Sequence, residues 1–299
     1  MRKIFTAFWR LIKLPFRWIK NVSDDISEFL TEEPEDSPLA DSLQKAVANP
    51  QSLLIHLDAL RKHLLRAVLG LALTTAFSFA FASKIIDILA QPVGGIGSLV
   101  AIDPTEPLGT FMRVSLLTGF AIALPYVILE LWLFAAPGLS RDARIFGLLA
   151  IPVATLFFIG GMAFAYYVLL PTAIPFLVNF GGITSQIRPS SYIRFVTSIM
   201  FWIGVAFQFP LIIYVLARVG LIRGKVLLSQ WRLAIVIIAI LAAAITPTVD
   251  PGTMALVMGP MVVLYFFSIF LASMAERSRN RKKLTDSEAP FQPEAPNPK

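Results

Sequence analysis

The sequence predicts an all-α membrane protein of six transmembrane helices, with both termini on the cytoplasmic side. Three observations carry that expectation: 56% hydrophobic residues, only 15% charged residues, and a series of long charge-poor apolar runs along 299 residues. A soluble domain has about 25% charged residues, and a single core could not hide this much apolar surface.

A bilayer core of about 30 Å needs roughly 20 apolar residues per helix. Runs of that length lie at about Leu64–Ala82, Val114–Ala136, Ile145–Leu170 and Phe195–Ala217. Two further runs, Leu233–Ile245 and Met254–Ala272, are separated by Thr246-Pro247-Thr248-Val249-Asp250-Pro251-Gly252, a turn-forming stretch. The first of these two would reach only about 20 Å at 1.5 Å per residue. It either thins the bilayer or forms a short hairpin with its successor.

Lysine and arginine set the orientation, because cytoplasmic flanks retain them. Of the 26, the alternating segments beginning with the N-terminal one, with Arg66 at the start of the first run counted in it, hold 10, 2, 4 and 6. The intervening loops hold few, so both termini are expected inside. That parity survives if the last two helices re-enter as a pair instead of spanning.

Three regions follow. Residues 1–50 are an N-terminal extension: MRKIFTAFWRLIKLPFRWIK places Arg10, Lys13, Arg17 and Lys20 on one face of an interfacial helix, and residues 24–41 then carry eight acids and no base. Residues 51–284 form the six-span domain, and the proline-rich 285–299 a disordered tail. The loops 83–113 and 171–192, rich in proline and glycine, are long enough to form structured caps.

Several chemistries are excluded. With no cysteine there is no disulfide and no thiolate metal site, and no GxxxxGK[ST], HExxH or GxSxG occurs. His56 and His63, the two histidines, lack clustered carboxylates and read as polar-face residues, not as a metal site. No enzyme, cofactor or nucleic-acid partner is expected, while basic charge beside the spans suits membrane lipid. The ionisable side chain well inside a span is Glu130, and depth along the helices suggests Gln208 as its partner, giving an intramembrane polar pair.

Taken together, the motifs resemble the TatC family, the receptor and core subunit of the twin-arginine (Sec-independent) protein translocase. HLDALRKHLL is similar to the family's His-Leu-x-Glu-Leu-Arg element, LWLFAAPGLSRDAR to its second-span exit and first cytoplasmic loop, and FFIGGMAFAYYVLLP to its third span. SYIRFV, GVAFQFP and the TPTVD turn follow in family order. The resemblance spans about residues 51–275 and implies a curved TatC-like bundle in the cytoplasmic membrane that exports folded proteins with the proton-motive force. It implies TatA/TatB-type single-helix partners at the fifth span, homo-oligomers within the translocase, and signal-peptide binding by His56, Leu57, Leu60, Arg61, Phe134, Pro137, Leu139 and Arg144. Pro92 and Asp250 match positions important to assembly.

Where the family commonly carries Glu, this chain has Ala59, Ala143, Gln208 and Phe266. Asp58 and Asp142 stand one residue before the first two and are the candidate replacements for arginine recognition. Two other readings stay open on residues alone: a divergent paralogue with narrowed signal recognition, and a proton-coupled small-molecule permease using Glu130. The absence of internal repeats disfavours the permease.

Overall fold

The structure, a computed structural model, describes residues 50–135, 141–178, 187–246 and 251–287. The expected basic N-terminal helix, the acidic linker, the Thr246–Gly252 turn from Pro247 to Asp250, and the tail beyond 287 lie outside the described residues. The described residues are helical and contain no strand.

The helices are α1 (Pro50–Phe79), α2 (Ala82–Ala90), α3 (Glu106–Ala135), α4 (Arg141–Phe164), α5 (Leu170–Val178), α6 (Pro189–Ala206), α7 (Phe209–Val219), α8 (Gly224–Ser229), α9 (Trp231–Ile245) and α10 (Pro251–Ser287). A π-helical turn, Ala165–Leu169, joins α4 to α5. Four stretches are long and apolar enough to cross a membrane: Glu106–Ala135, Gly147–Phe176, Pro189–Arg218 and Pro251–Ser278. These correspond to four of the expected spans.

The first and fifth expected spans differ in form. The run Leu64–Ala82 is not one straight helix: α1 and the segment Ala82–Val93 meet at 74°. At the bend Ala80 and Phe81 donate their amides to Phe77 and Ser78, three residues back, which tightens the turn and ends the i to i−4 ladder. The fifth, α9, has 15 residues and so reaches about 22 Å.

The chain forms two compact units. One comprises the described residues up to Leu73 together with Ala123–Ile151, and contains the candidate site. The other comprises Thr74–Ile122 and Pro152 onward.

In the second unit a continuous apolar core is built from Ile86 and Leu89 of α2, Val114 of α3, Leu169 and Leu170, Ile193, Val196, Ile199 and Ile203 of α6, and Val257 of α10. Phe120, Phe158 and Phe201 pack their rings together, with centroids 5.1 to 6.4 Å apart. Close approach of α4 and α6 requires glycine: a Cβ on Gly161 would stand 2.9 Å from Gly204 Cα.

The loop 83–113 is structured, as its length suggested. Tyr166 and Tyr192 donate their hydroxyls to the carbonyls of Ile88 and Leu89 at the end of α2. Gly94 and Gly95, at φ of 90° and 93°, then let the chain reverse where a side chain would be strained. Pro92 lies half-buried in the 3₁₀ turn Gln91–Val93 just before them. The buried Glu106 carboxylate accepts from Arg188 Nε at 2.8 Å and from Nη2, while Val100 donates its amide to Ile187. Together these bonds tie the start of α3 to the segment entering α6.

Candidate functional site

In α1, residues spaced seven, four and three apart share one face, so His56, His63, Ala67 and Gly70 form a stripe. In α3, Phe134, Glu130 and Tyr126 fall four apart and form another. The two stripes meet in antiparallel register. The rings of His56 and Phe134 lie 4.5 Å apart, tilted by 33°, and His63 lies 6.4 Å from the same Phe134 ring. His63 Nδ1 is 2.7 Å from Glu130 Oε2. One turn deeper, Gly70 leaves room for Tyr126: an added Cβ would stand 2.7 Å from the ring. Across the same unit, Gly147 of α4 makes room for the Trp132 indole.

Glu130 is fully buried, at 0% exposure. A carboxyl group withdrawn from water needs hydrogen-bond partners. It has two: Tyr126 donates its hydroxyl to Oε1, and His63 faces Oε2. His63 itself is mostly covered, with 18% of its side chain exposed. The site is therefore a buried acid reaching a mostly covered imidazole, beside an aromatic pair nearer the end of the helices.

Nearer that end, His56, Leu57, Asp58 and Arg61 are exposed, and Leu60 is half-buried, as is Phe134. Lys62 Nζ stands 2.7 Å from Asp58 Oδ2, one turn along the helix. Both groups are more than half exposed, and water screens such an i, i+4 pair so that it contributes little. Asp58 is thus a solvent-facing carboxylate whose partner is easily exchanged.

Asp142 and Arg144 lie at the start of α4, and their side chains are outside what is described. Pro137, Leu139 and Asp250 also lie outside the described residues. Glu130 and Gln208, paired on depth in the sequence reading, have other partners. Each is satisfied within its own unit: Glu130 by His63 and Tyr126, and Gln208 by donating Nε2 to the Ala154 carbonyl at 2.9 Å. Gln208 sits at the break between α6 and α7, and Phe207, just before it, caps α6.

His63 and Tyr126 are the functional candidates that sequence reasoning missed. His63 stands seven residues from His56, hence on the same face, and its face continues into the small residues Ala67 and Gly70. That run marks a packed stripe, not a solvated polar one. Among the described residues no cluster of His, Asp and Glu has the makings of a metal site.

Comparison with known proteins points one way. The family model described as "Sec-independent protein translocase protein (TatC)" matches residues 55–260. The Sec-independent protein translocase protein TatC of Carboxydothermus hydrogenoformans is 33% identical over 226 residues, which covers 75% of this chain and 93% of that protein. The TatC of Aquifex aeolicus is 34% identical, covering 75% and 95%, and the chloroplastic TATC of Pisum sativum 32%, covering 87% and 76%. A crystal structure of the twin-arginine translocase receptor TatC superposes with a TM-score of 0.66 at 33% identity, covering 74% of this chain and 99% of that one.

Proposed function

This chain belongs to the TatC family of Sec-independent protein translocase proteins, and from that premise we propose that the His56–Phe134 end of the α1–α3 stripe receives the paired arginines of a signal peptide. The protein is a multi-pass membrane subunit of a protein translocase, works within a complex with other Tat subunits, and is not an enzyme.

The observation that carries the proposal is the aromatic pair with an exchangeable carboxylate beside it. A guanidinium stacks on an aromatic face and donates in its own plane. His56 and Phe134 supply the face, and Asp58 a solvent-facing acceptor. Leu57 is exposed at 57% and offers apolar contact to the part of the signal beyond the arginines. Leu60 and Arg61 complete the α1 face. Arg144, with Pro137 and Leu139, is assigned to the same surface from the α3–α4 connection by its match to the family motif, and Asp142 by its place one residue before Ala143. In this reading Asp58 and Asp142 replace the family's acids at Ala59 and Ala143.

The finer topology is part of the same proposal. The bent α1–α2 segment serves as the first span and short α9 as the fifth, which gives six spans with both termini in the cytoplasm. The lysine and arginine distribution supports this sidedness in a cytoplasmic membrane. Exposed Leu233, Val236, Ile237, Ile240 and Leu241 on α9 support docking of single-helix TatA/TatB-type partners there. Pro92 and Asp250 are assigned to assembly and function, homo-oligomers to the working translocase, and the proton-motive force to its energy supply.

The experiment is binding of a fluorescent twin-arginine signal peptide to the detergent-solubilised protein, with a twin-lysine peptide of equal charge as control. Selective binding of the arginine form, weakened by Asp58→Asn with Asp142→Asn, is the expected result. Equal binding of both peptides by folded, monodisperse protein would favour a paralogue with altered recognition.

A further inference from the structure

We infer that Glu130, acting through His63, gives this receptor face its preference for a guanidinium over an ammonium. The inference rests on the reading of this face as the arginine-pair receptor, and adds to it a binding residue, His63, and a positioning residue, Glu130, that the exposed surface does not reveal.

The argument begins with the cost of the carboxylate. Placed at 0% exposure in a helix that crosses a membrane, Glu130 needs compensation, and its hydrogen bonds say which form it takes. Tyr126 donates to Oε1, so that oxygen is an acceptor. Oε2 lies 2.7 Å from His63 Nδ1, and an ionised carboxylate accepts there from an Nδ1–H. In the neutral ring that bond places the proton on Nδ1. The ring's other nitrogen, Nε2, then carries a lone pair and can only accept. Glu130 thereby sets both the ring's orientation and the sense of its remaining hydrogen bond, as outer partners do for histidines that bind metals.

An acceptor of this kind suits arginine. His63 retains 18% side-chain exposure, and its ring centroid is 6.4 Å from Phe134, which in turn packs against exposed His56. A guanidinium over the His56–Phe134 pair can direct an in-plane N–H to Nε2 while its face stays on the rings. An ammonium has no planar face to lie flat on the rings while an in-plane N–H reaches Nε2, so it fits this pair of contacts less well. The negative charge behind the imidazole strengthens the contact, because charge-assisted hydrogen bonds are about twice as strong as neutral ones.

The test compares twin-arginine and twin-lysine peptides binding to the full chain in detergent, as wild type, Glu130→Gln and His63→Gln. Each variant should bind the arginine peptide about tenfold more weakly and the lysine peptide within about twofold of wild type, so that the selectivity ratio collapses. Wild-type selectivity retained in both folded variants overturns the inference and leaves the receptor reading standing. A wild type without selectivity overturns both.

A second measurement needs no variant to survive in the bound state. Because the chain has two histidines, ¹⁵N-histidine labelling resolves both rings, and peptide-free His56→Gln protein assigns them. Addition of the twin-arginine peptide should shift His63 Nε2 as an acceptor while Nδ1 stays protonated. A His63 signal unmoved at saturating peptide overturns the proposal, even if the variants fail to fold.

Discussion

Adding one methyl group at Gly70 should cost far more than its size suggests, because it acts on a buried carboxylate at one remove. A Cβ built on Gly70 stands 2.7 and 2.8 Å from Cδ1 and Cε1 of Tyr126. Ordinary carbon contacts lie at about 3.5–4.0 Å. The ring must therefore retreat by roughly 0.8 Å or more, and its hydroxyl, which donates to Glu130 Oε1, goes with it. Overpacking of this kind costs about 1–3 kcal/mol. Leaving a buried acceptor without its donor adds about 1–3 kcal/mol. Gly70→Ala should thus destabilise the protein by about 2–6 kcal/mol, measured by reversible unfolding in mixed detergent micelles. The mechanism is isolated by a double-mutant cycle, since Tyr126→Ala removes both the clash and the donor. In that background Gly70→Ala should be nearly neutral, giving a coupling of at least about 2 kcal/mol. Equal cost in both backgrounds would mean that Gly70 matters for some other reason, and the reasoning would fail.

Three further outcomes are expected. Arg188→Ala leaves the buried Glu106 carboxylate without its cation and should cost about 3 kcal/mol in the same unfolding assay; Arg188→Lys should recover only part, since one ammonium cannot reproduce the contacts of Nε and Nη2. Lys62→Gln frees Asp58 from its exposed pair and should tighten twin-arginine peptide binding about twofold; weaker binding would show that Lys62 helps the receptor. In the loop before α3, the Thr105 amide and hydroxyl both donate to Asp103 and hold its carboxyl below the usual aspartate range. Its depressed value means that this turn's contribution is present above the unfolded aspartate pKa of about 3.9 and is lost as pH falls through the folded value. Hydrogen exchange at the Thr105 amide should therefore accelerate, relative to its intrinsic rate, on acidification in that window; protection independent of pH would refute it.

The spans were legible in the sequence because lipid removes alternatives. Long charge-free runs such as 114–136 and 195–217 can satisfy their backbone only as helices, so their positions follow from composition. The bend after Phe79 was not legible, since no proline or glycine marks it and the tightening comes from amides bonding three residues back. At the site, motif spacing brought out His56, Asp58 and Phe134. It could not show that Glu130 meets His63, because the partner of a buried side chain depends on how two helices rotate about their axes. Even so, a trace of the answer was present: the seven-residue step from His56 to His63 continues into Ala67 and Gly70, and small residues after a histidine signal a packed face.

That packed face changes what the intramembrane acid is for. A lone carboxylate in a span suggests a proton carrier, since its charge is costly and readily neutralised. Glu130 has a hydroxyl on one oxygen and an imidazole on the other, so both of its oxygens are already engaged. The permease reading, which needs Glu130 to load and release a proton during each cycle, therefore works against the bonds that surround it. A carboxyl group engaged behind a mostly covered ring agrees better with recognition of a cation, and the helix that carries the ring also carries the exposed His56 and Asp58 two turns and one turn away.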